Sequence, residues 1–127
     1  MALGKAIGEF SLKSTSFTYT ATGTGGTVQG NFEGSVKGEG LTGPVLGTLT
    51  AGGAPGAKSG TCSWAGTAYL DNGEEINGKG EGTWESIGTH KWRIRAVVYL
   101  SDGRTVASDG EINLATRSYS GKIYEWS

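Results

Sequence analysis

Residues 61–112 read TCSWAGTAYLDNGEEINGKGEGTWESIGTHKWRIRAVVYLSDGRTVASDGEI, and in this stretch alternating apolar and polar residues are interrupted by short turns. Three turns share one form: Asp71-Asn72-Gly73, Ser86-Ile87-Gly88 and Ser101-Asp102-Gly103. Each fits a three-residue hairpin loop, in which a type I turn is closed by a glycine in the left-handed region. The stretch therefore predicts four consecutive antiparallel strands.

The same turns predict a strand register, in which Leu70 lies opposite Glu74, Glu85 opposite Thr89, and Leu100 opposite Arg104. One face of the resulting sheet is apolar at three levels: Cys62, Gly82, Trp92 and Ile112; Trp64, Gly80, Ile94 and Gly110; Ala68, Ile76, Val98 and Val106. The other face pairs opposite charges across strands: Glu81, Arg93 and Glu111 at one level, and Lys79, Arg95 and Asp109 at the next. The first face is expected to form a core and the second to meet water.

Composition extends this interpretation to the whole chain. Glycine accounts for 24 of 127 residues and proline for 2, and no segment repeats apolar residues with helical spacing. Alternation divides the chain into eight segments: Glu9 to Ala21, Thr27 to Lys37, Leu41 to Ala51, Lys58 to Leu70, Glu74 to Glu85, Thr89 to Leu100, Arg104 to Ala115 and Ser118 to Trp126. We predict an all-β fold, a single eight-stranded antiparallel up-and-down β-barrel, with residues 1–127 as one domain.

The predicted interior leaves two alternatives open. Val28, Phe32 and Val36 face inward with Leu41, Val45 and Leu49, and glycines are interleaved with them. Because inward-facing glycines contribute no side-chain volume, a barrel of this size has room for one small ligand. Alternatively, Trp64, Trp84, Trp92 and Phe32 each lie across a facing glycine and fill the space.

Charge and residue types exclude several function classes. The net charge of −1 gives no field to gather nucleic acid or an anionic membrane. With one cysteine, Cys62, and one histidine, His90, no disulfide and no Cys- or His-based metal site is expected. Gly38, Gly40 and Gly43 spell GxGxxG, but no helix follows to hold a dinucleotide, so no cofactor is expected. The absence of a signal or membrane-spanning pattern and the lone cysteine suggest a cytoplasmic protein.

A few polar residues are candidates for chemistry inside the barrel. The register places His90 on the inner face beside Trp84. If Thr116 and Arg117 form a tight two-residue link, Tyr119 lies at the level of Leu114, and Glu125 lies inside opposite Ser108. A carboxylate among apolar walls has a raised pKa and can transfer protons near neutrality, with His90 as a second acid or base and Tyr119 as its hydrogen-bonding partner. Alternatively, His90 is an ordinary half-buried histidine at the rim of the barrel, and Glu125 lies in a frayed chain end that faces outward.

The alternating segments and the repeated turns resemble small antiparallel barrels of the calycin and allene oxide cyclase type. In size, glycine content and its four tryptophans the chain is also similar to the avidins. The resemblance implies binding of apolar small molecules, or cyclisation and isomerisation with few catalytic groups. It also implies assembly into a homodimer or homotrimer.

We therefore predict a barrel that encloses a small, largely apolar molecule. Its predicted ligand-binding residues are Trp64, Trp84, Trp92, Phe32, Cys62 and Ser108, and its predicted catalytic residues are Glu125, His90 and Tyr119. If the protein is an enzyme, a cofactor-free isomerase, cyclase or lyase fits these groups, since no Ser-His-Asp set is present. The alternatives are a non-catalytic carrier, and a carbohydrate-binding or assembly module that uses the outer tyrosines Tyr69, Tyr99 and Tyr124.

Overall fold

A computed structural model describes residues 2–23, 25–54 and 56–127, and these residues form eight β-strands. The strands are β1 (Leu3–Thr22), β2 (Gly25–Gly38), β3 (Gly43–Gly53), β4 (Ser59–Tyr69), β5 (Glu75–Gly88), β6 (Lys91–Leu100), β7 (Thr105–Asn113) and β8 (Ser118–Trp126). Within these ranges no helix is long and apolar enough to cross a membrane.

The strands pair in chain order and close into a barrel when β8 pairs with β1. All pairs are antiparallel, so the predicted all-β, eight-stranded up-and-down barrel is confirmed. We call the end where β1 begins and β8 ends the terminal end. The loops β2–β3, β4–β5 and β6–β7 also lie there, and we call the opposite end the distal end.

Two of the three repeated turns set the register that their sequence predicts. The Leu70 amide donates to the Glu74 carbonyl at 2.8 Å, and the Leu100 amide donates to the Arg104 carbonyl at 2.9 Å. Gly73 and Gly103 have positive φ values, 92° and 96°, as the loop type requires. As a result Trp64 lies opposite Gly80, and Ile94 lies opposite Gly110, as predicted.

The turn between β5 and β6 differs from the prediction. β5 continues through Ser86 and ends at Gly88, and the chain reverses at Thr89 and His90, where His90 has a φ of 54°. Gly82 therefore faces Ala96 rather than Trp92, which is a slip of four residues along β6. A slip by an even number of residues keeps each side chain on the same face of the sheet, so the apolar and charged faces contain the predicted residues.

The link between β7 and β8 is also longer than predicted. The Arg117 amide donates to the Leu114 carbonyl at 3.2 Å, so the turn spans four residues. Tyr119 lies opposite Ile112 rather than at the level of Leu114, and Glu125 lies opposite Val106 rather than Ser108. This slip is again even, and Tyr119 keeps its predicted inward orientation, with 4% of its surface exposed.

The charged outer face is present with altered partners. Arg93 lies opposite Glu85 rather than Glu81, and its guanidinium donates two hydrogen bonds to Asp109 at 2.9 and 2.6 Å. This charge-assisted pair lowers the pKa of Asp109. Arg95 forms the neighbouring ion pair with Glu85 at 3.4 Å. The groups are partly exposed and lie outside the barrel, as the alternation predicted.

The core consists of two clusters stacked along the barrel axis. The distal cluster contains the buried residues Leu12, Phe32, Leu49, Cys62, Ile94 and Tyr119, with Trp84 and Trp92 packed against it. The terminal cluster contains smaller buried side chains: Val36, Leu41, Ala68, Ile76, Ala96, Val98, Val106 and Ile123. The distal half of the barrel is thus filled by rings, and the terminal half is lined by aliphatic groups.

The β5–β6 turn provides a test of the corrected register. Replacing His90 with glycine is expected to raise the free energy of unfolding by about 0.5–1 kcal/mol, because the left-handed conformation costs a non-glycine residue more than glycine loses in chain entropy. Thr89→Gly, at the neighbouring position without a positive φ, is expected to lower it by a similar amount. Urea unfolding of both variants measures the difference. Destabilisation by His90→Gly would contradict the observed turn.

Candidate functional site

A cavity of about 100 Å³ occupies the terminal half of the barrel. Its walls are mostly aliphatic, and among the described residues no charged side chain lines it. The aliphatic lining residues are Leu12, Val36, Leu41, Val45, Ala68, Ile76, Ala96, Val98, Leu100, Val106 and Ile123. Ala68, Ala96 and Gly78 contribute little side-chain volume, and this leaves the centre unfilled.

Aromatic rings form the floor of the cavity, where it meets the distal cluster. Phe10, Trp64 and Tyr119 all line the cavity, and the Tyr119 ring centroid lies 5.0 Å from that of Phe10 and 6.3 Å from that of Trp64. Both pairs are edge-to-face, a favourable arrangement for aromatic rings. These rings separate the cavity from the filled half.

Glycines hold the Trp64 indole in place. A Cβ atom added at Gly66 would lie 2.8 Å from the Trp64 ring, and one at Gly47 would overlap the ring directly. The indole therefore lies on the backbones of β3 and β4 rather than on Gly80, which is its partner in the ladder. Any side chain at these two glycines would push the floor into the cavity.

Two hydroxyl groups give the cavity its polarity; Thr67 also lines the cavity, but its hydroxyl is engaged as a donor to exposed Asn77 at 2.7 Å. Tyr119 and Ser108 both line the cavity from the inner faces of β8 and β7. Neither hydroxyl takes part in a hydrogen bond among the described residues. In the described part of the chain, every side-chain nitrogen or oxygen that is fully enclosed has a hydrogen-bond partner, so an unpaired hydroxyl keeps some accessible surface. We infer that the Tyr119 hydroxyl faces the open space of the cavity. Burial raises the pKa of Tyr119, so this hydroxyl stays protonated and acts as a hydrogen-bond donor.

The mouth of the cavity is covered by the β2–β3 loop. Leu41 of this loop lines the cavity and is 6% exposed. Arg104, on the opposite side of the barrel, donates hydrogen bonds to the carbonyls of Glu39 and Gly40 at 2.8 and 3.1 Å, and to the Asp102 carboxylate at 2.9 Å. We call these contacts the Arg104 strap, because they tie the loop with Leu41 to the far wall.

The predicted ligand-binding residues, together with Tyr119, fall into two groups. Trp64, Ser108 and Tyr119 line the cavity together. The predicted ligand-binding residues Trp84, Trp92, Phe32 and Cys62 belong instead to the distal cluster. Trp84 donates a hydrogen bond from its indole nitrogen to the Gly52 carbonyl at 3.0 Å, and burial raises the pKa of the Cys62 thiol. These four residues fill the barrel and do not contact the cavity.

The structure does not bring His90 and Glu125 together. His90 lies in the distal turn and is exposed, so its predicted position inside the barrel beside Trp84 is wrong. Glu125 points along the inner face at the terminal end, but its side chain is 49% exposed and lies 3.8 Å from the Lys5 ammonium. The predicted apolar surroundings of this carboxylate are therefore absent. Catalytic roles for both residues stay predictions that the geometry does not support.

The sequence analysis did not single out every residue of the cavity. Phe10 alternates with Leu12 within β1, so its inward orientation could have been predicted from the sequence. Leu41 was predicted to face inward at the start of a strand; it does line the cavity, but it lies in the β2–β3 loop, because β3 begins only at Gly43. Among the described residues, no cluster of three or more His, Cys, Asp or Glu side chains forms a candidate metal site.

Comparisons with known proteins support the fold alone. No protein-family model matches the chain, and no curated protein matches it. A crystal structure of a conserved protein of unknown function from Rhodopseudomonas palustris is similar, with a TM-score of 0.76, 14% identity, and coverage of 98% of each chain. The chain shares this barrel architecture along its full length. A calycin or allene oxide cyclase relationship is not among the findings.

Tyr119 gives the protein a specific response to alkaline pH. Its pKa is raised by folding, so its contribution to stability is complete below the pKa of unfolded tyrosine, about 10, and is lost as the pH rises above that value. We expect the free energy of unfolding to fall by up to about 1.4 kcal/mol per pH unit there, and to fall less steeply in Tyr119→Phe. Tyr99→Phe, at an exposed position, keeps the wild-type slope. Equal slopes in all three proteins would show that Tyr119 ionises in the folded state.

Removing the Arg104 strap is expected to loosen the β2–β3 loop. In Arg104→Ala the loop loses two hydrogen bonds from a charged donor, so the amides of Glu39 and Leu41 should exchange with solvent about tenfold faster. Hydrogen–deuterium exchange measures this change. Arg95→Ala, which removes an outer ion pair elsewhere, serves as the control and leaves the loop unchanged. Unaltered exchange in Arg104→Ala would show that the strap does not hold the loop.

Proposed function

We propose that this protein binds a small, largely apolar molecule in the terminal cavity. The observation that carries the proposal is the cavity itself: apolar walls, two hydroxyls, and no charged side chain among the described lining residues. Binding sites for small molecules commonly combine apolar walls with a few polar groups that orient the ligand.

The cavity volume limits the size of the ligand. At about 100 Å³ it is somewhat smaller than an engineered apolar cavity of about 150 Å³ that stays dry and binds benzene. A compact ligand of up to about the size of benzene fits the closed barrel. A longer ligand requires Leu41 and the β2–β3 loop to move outward.

The two hydroxyls favour a ligand with one polar group. Tyr119 stays protonated and offers a donor to a carbonyl, ether or hydroxyl oxygen of the ligand. Ser108 can donate or accept at the neighbouring level of the barrel. The proposed ligand is therefore apolar over most of its surface, with one oxygen near the floor.

The cavity chemistry favours a carrier over an enzyme. Tyr119 is the only titratable side chain among the described lining residues, and its raised pKa makes it a poor base. A cofactor-free isomerase, cyclase or lyase would need a group that accepts and returns a proton at the ligand. Neither His90 nor Glu125 is available for this on the cavity wall. We therefore propose a non-catalytic binding protein, and a cytoplasmic location is compatible with its free thiol at Cys62.

Filling the cavity tests the proposal. Ala96 lines the cavity, and in Ala96→Leu the added carbons occupy its centre. Benzene is expected to raise the melting temperature of the wild-type protein and to shift the methyl resonances of Ile76 and Ile123. Ala96→Leu should lose both effects and gain about 0.5–2 kcal/mol of stability. Ala68→Leu fills the same space from β4 if Ala96→Leu does not fold.

Ala65→Leu is the matched control, since Ala65 is exposed on the outer face of the same sheet. It should bind benzene as the wild type does. Failure of benzene to affect the wild-type protein, or undiminished binding by both filled variants, would overturn the proposal. Native mass spectrometry of protein purified from its own host then identifies the natural occupant, whose removal by solvent extraction should shift the emission of Trp64.

A further inference from the structure

The distal half of β1 has a free edge. β1 pairs with β8 only as far as Lys13 opposite Ser118, and the Ser14 amide makes a last hydrogen bond to the Arg117 carbonyl at 2.9 Å. Beyond that point β1 continues to Thr22 with β2 on its other side. Along residues 15–22, no described strand pairs with the edge that β8 has left.

This edge lacks most of the features that protect strand edges. Closure of a barrel normally removes edges, and exposed edges are usually protected by charged side chains, especially lysine, or by proline. The segment from Ser14 to Ala21 reads STSFTYTA and contains none of these, but it is rich in residues that favour β-structure. A bulge between Ser14 and Ser16 turns β1 away from β8 at the start of the segment. The edge beyond the bulge is an open template for another strand.

The side chains of the segment are also accessible. Residues 15–21 are all exposed, and Phe17 and Tyr19 expose 39% and 76% of their surfaces. An unpaired row of backbone donors and acceptors flanked by exposed aromatic rings favours an added strand over solvent.

We propose that a second copy of this chain occupies the edge, through antiparallel pairing of β1 with β1. No charged residue lies between Lys13 and Glu33, so the hairpin has no charge to select an oppositely charged partner and none to repel its own copy. The uncharged segment from Ser14 to Thr22 is centred on Thr18. Pairing about Thr18 places Phe17 of each copy opposite Tyr19 of the other, which is a favourable cross-strand pair.

The geometry specifies a dimer rather than a trimer. Antiparallel pairing of identical edges is two-fold symmetric, and each copy uses this edge once, the one long unpaired edge among the strands that the structure describes. The resulting dimer is closed and leaves the terminal cavity of each barrel accessible, because the edge lies at the distal end. The proposal is therefore independent of ligand binding.

A charge at the symmetry axis tests the pairing. Sedimentation velocity over a range of concentrations is expected to show a dimer for the wild-type protein. In Thr18→Lys two lysines face each other, so the dissociation constant should rise at least about fivefold, with the melting temperature of the monomer unchanged. Gln29→Lys is the matched control: it adds the same charge opposite Thr18, on β2, whose two edges are both paired.

Charge exchange makes the test specific. Thr18→Glu should also weaken the dimer, and an equal mixture of Thr18→Glu and Thr18→Lys should restore it. A wild-type protein that stays monomeric at every concentration would overturn the proposal. So would a dimer that survives both variants, or one that Gln29→Lys disrupts equally, since that result indicates a contact through the sheet face.

Discussion

Glycine backbone beneath aromatic rings determines how the interior of this barrel is divided. Trp64 lies on Gly66 and Gly47, and Phe10 lies so close to Gly110 that an added Cβ would be 2.8 Å from its ring. Because these rings contact glycine backbone at mid-height, they close off the distal half and leave the terminal half to aliphatic side chains. The filled half supplies close packing, and the same rings provide the floor on which a ligand would rest.

The faces of the sheet could be predicted from sequence, whereas the exact pairing could not. Alternation has a period of two, so it specifies which side chains point inward and tolerates any even slip. Glycine at position 88 indicated a three-residue loop by local chemistry, but the chain gains further pairing by extending β5, with Ser86 opposite Trp92. The gain in strand pairing outweighed the local turn preference.

The candidate site was harder to predict for a different reason. Whether glycines leave a cavity or receive a neighbouring ring depends on the direction in which each large side chain points. The structure combines features of the two predicted alternatives, with a cavity in the terminal half and packed rings in the distal half, but Trp64 lines the cavity and Trp92 faces no glycine. The inward orientation of Glu125 was predicted, but its position at a strand end gives the carboxylate access to water and to Lys5. Leu41 and Arg104 are separated by long stretches of chain, and only closure of the barrel brings them to the same mouth.

Closure itself has a consequence for how the molecule forms. Every strand pair except one joins neighbours in the chain, and these hairpins can assemble as each strand appears. The exception joins Leu3–Lys13 to Ser118–Trp126, so this pair cannot form until the last strand has been synthesised. Until β8 is synthesised, the edge of β1 opposite β2 has no partner in the chain along its whole length, and in this interval it is exposed to pairing with a neighbouring polypeptide.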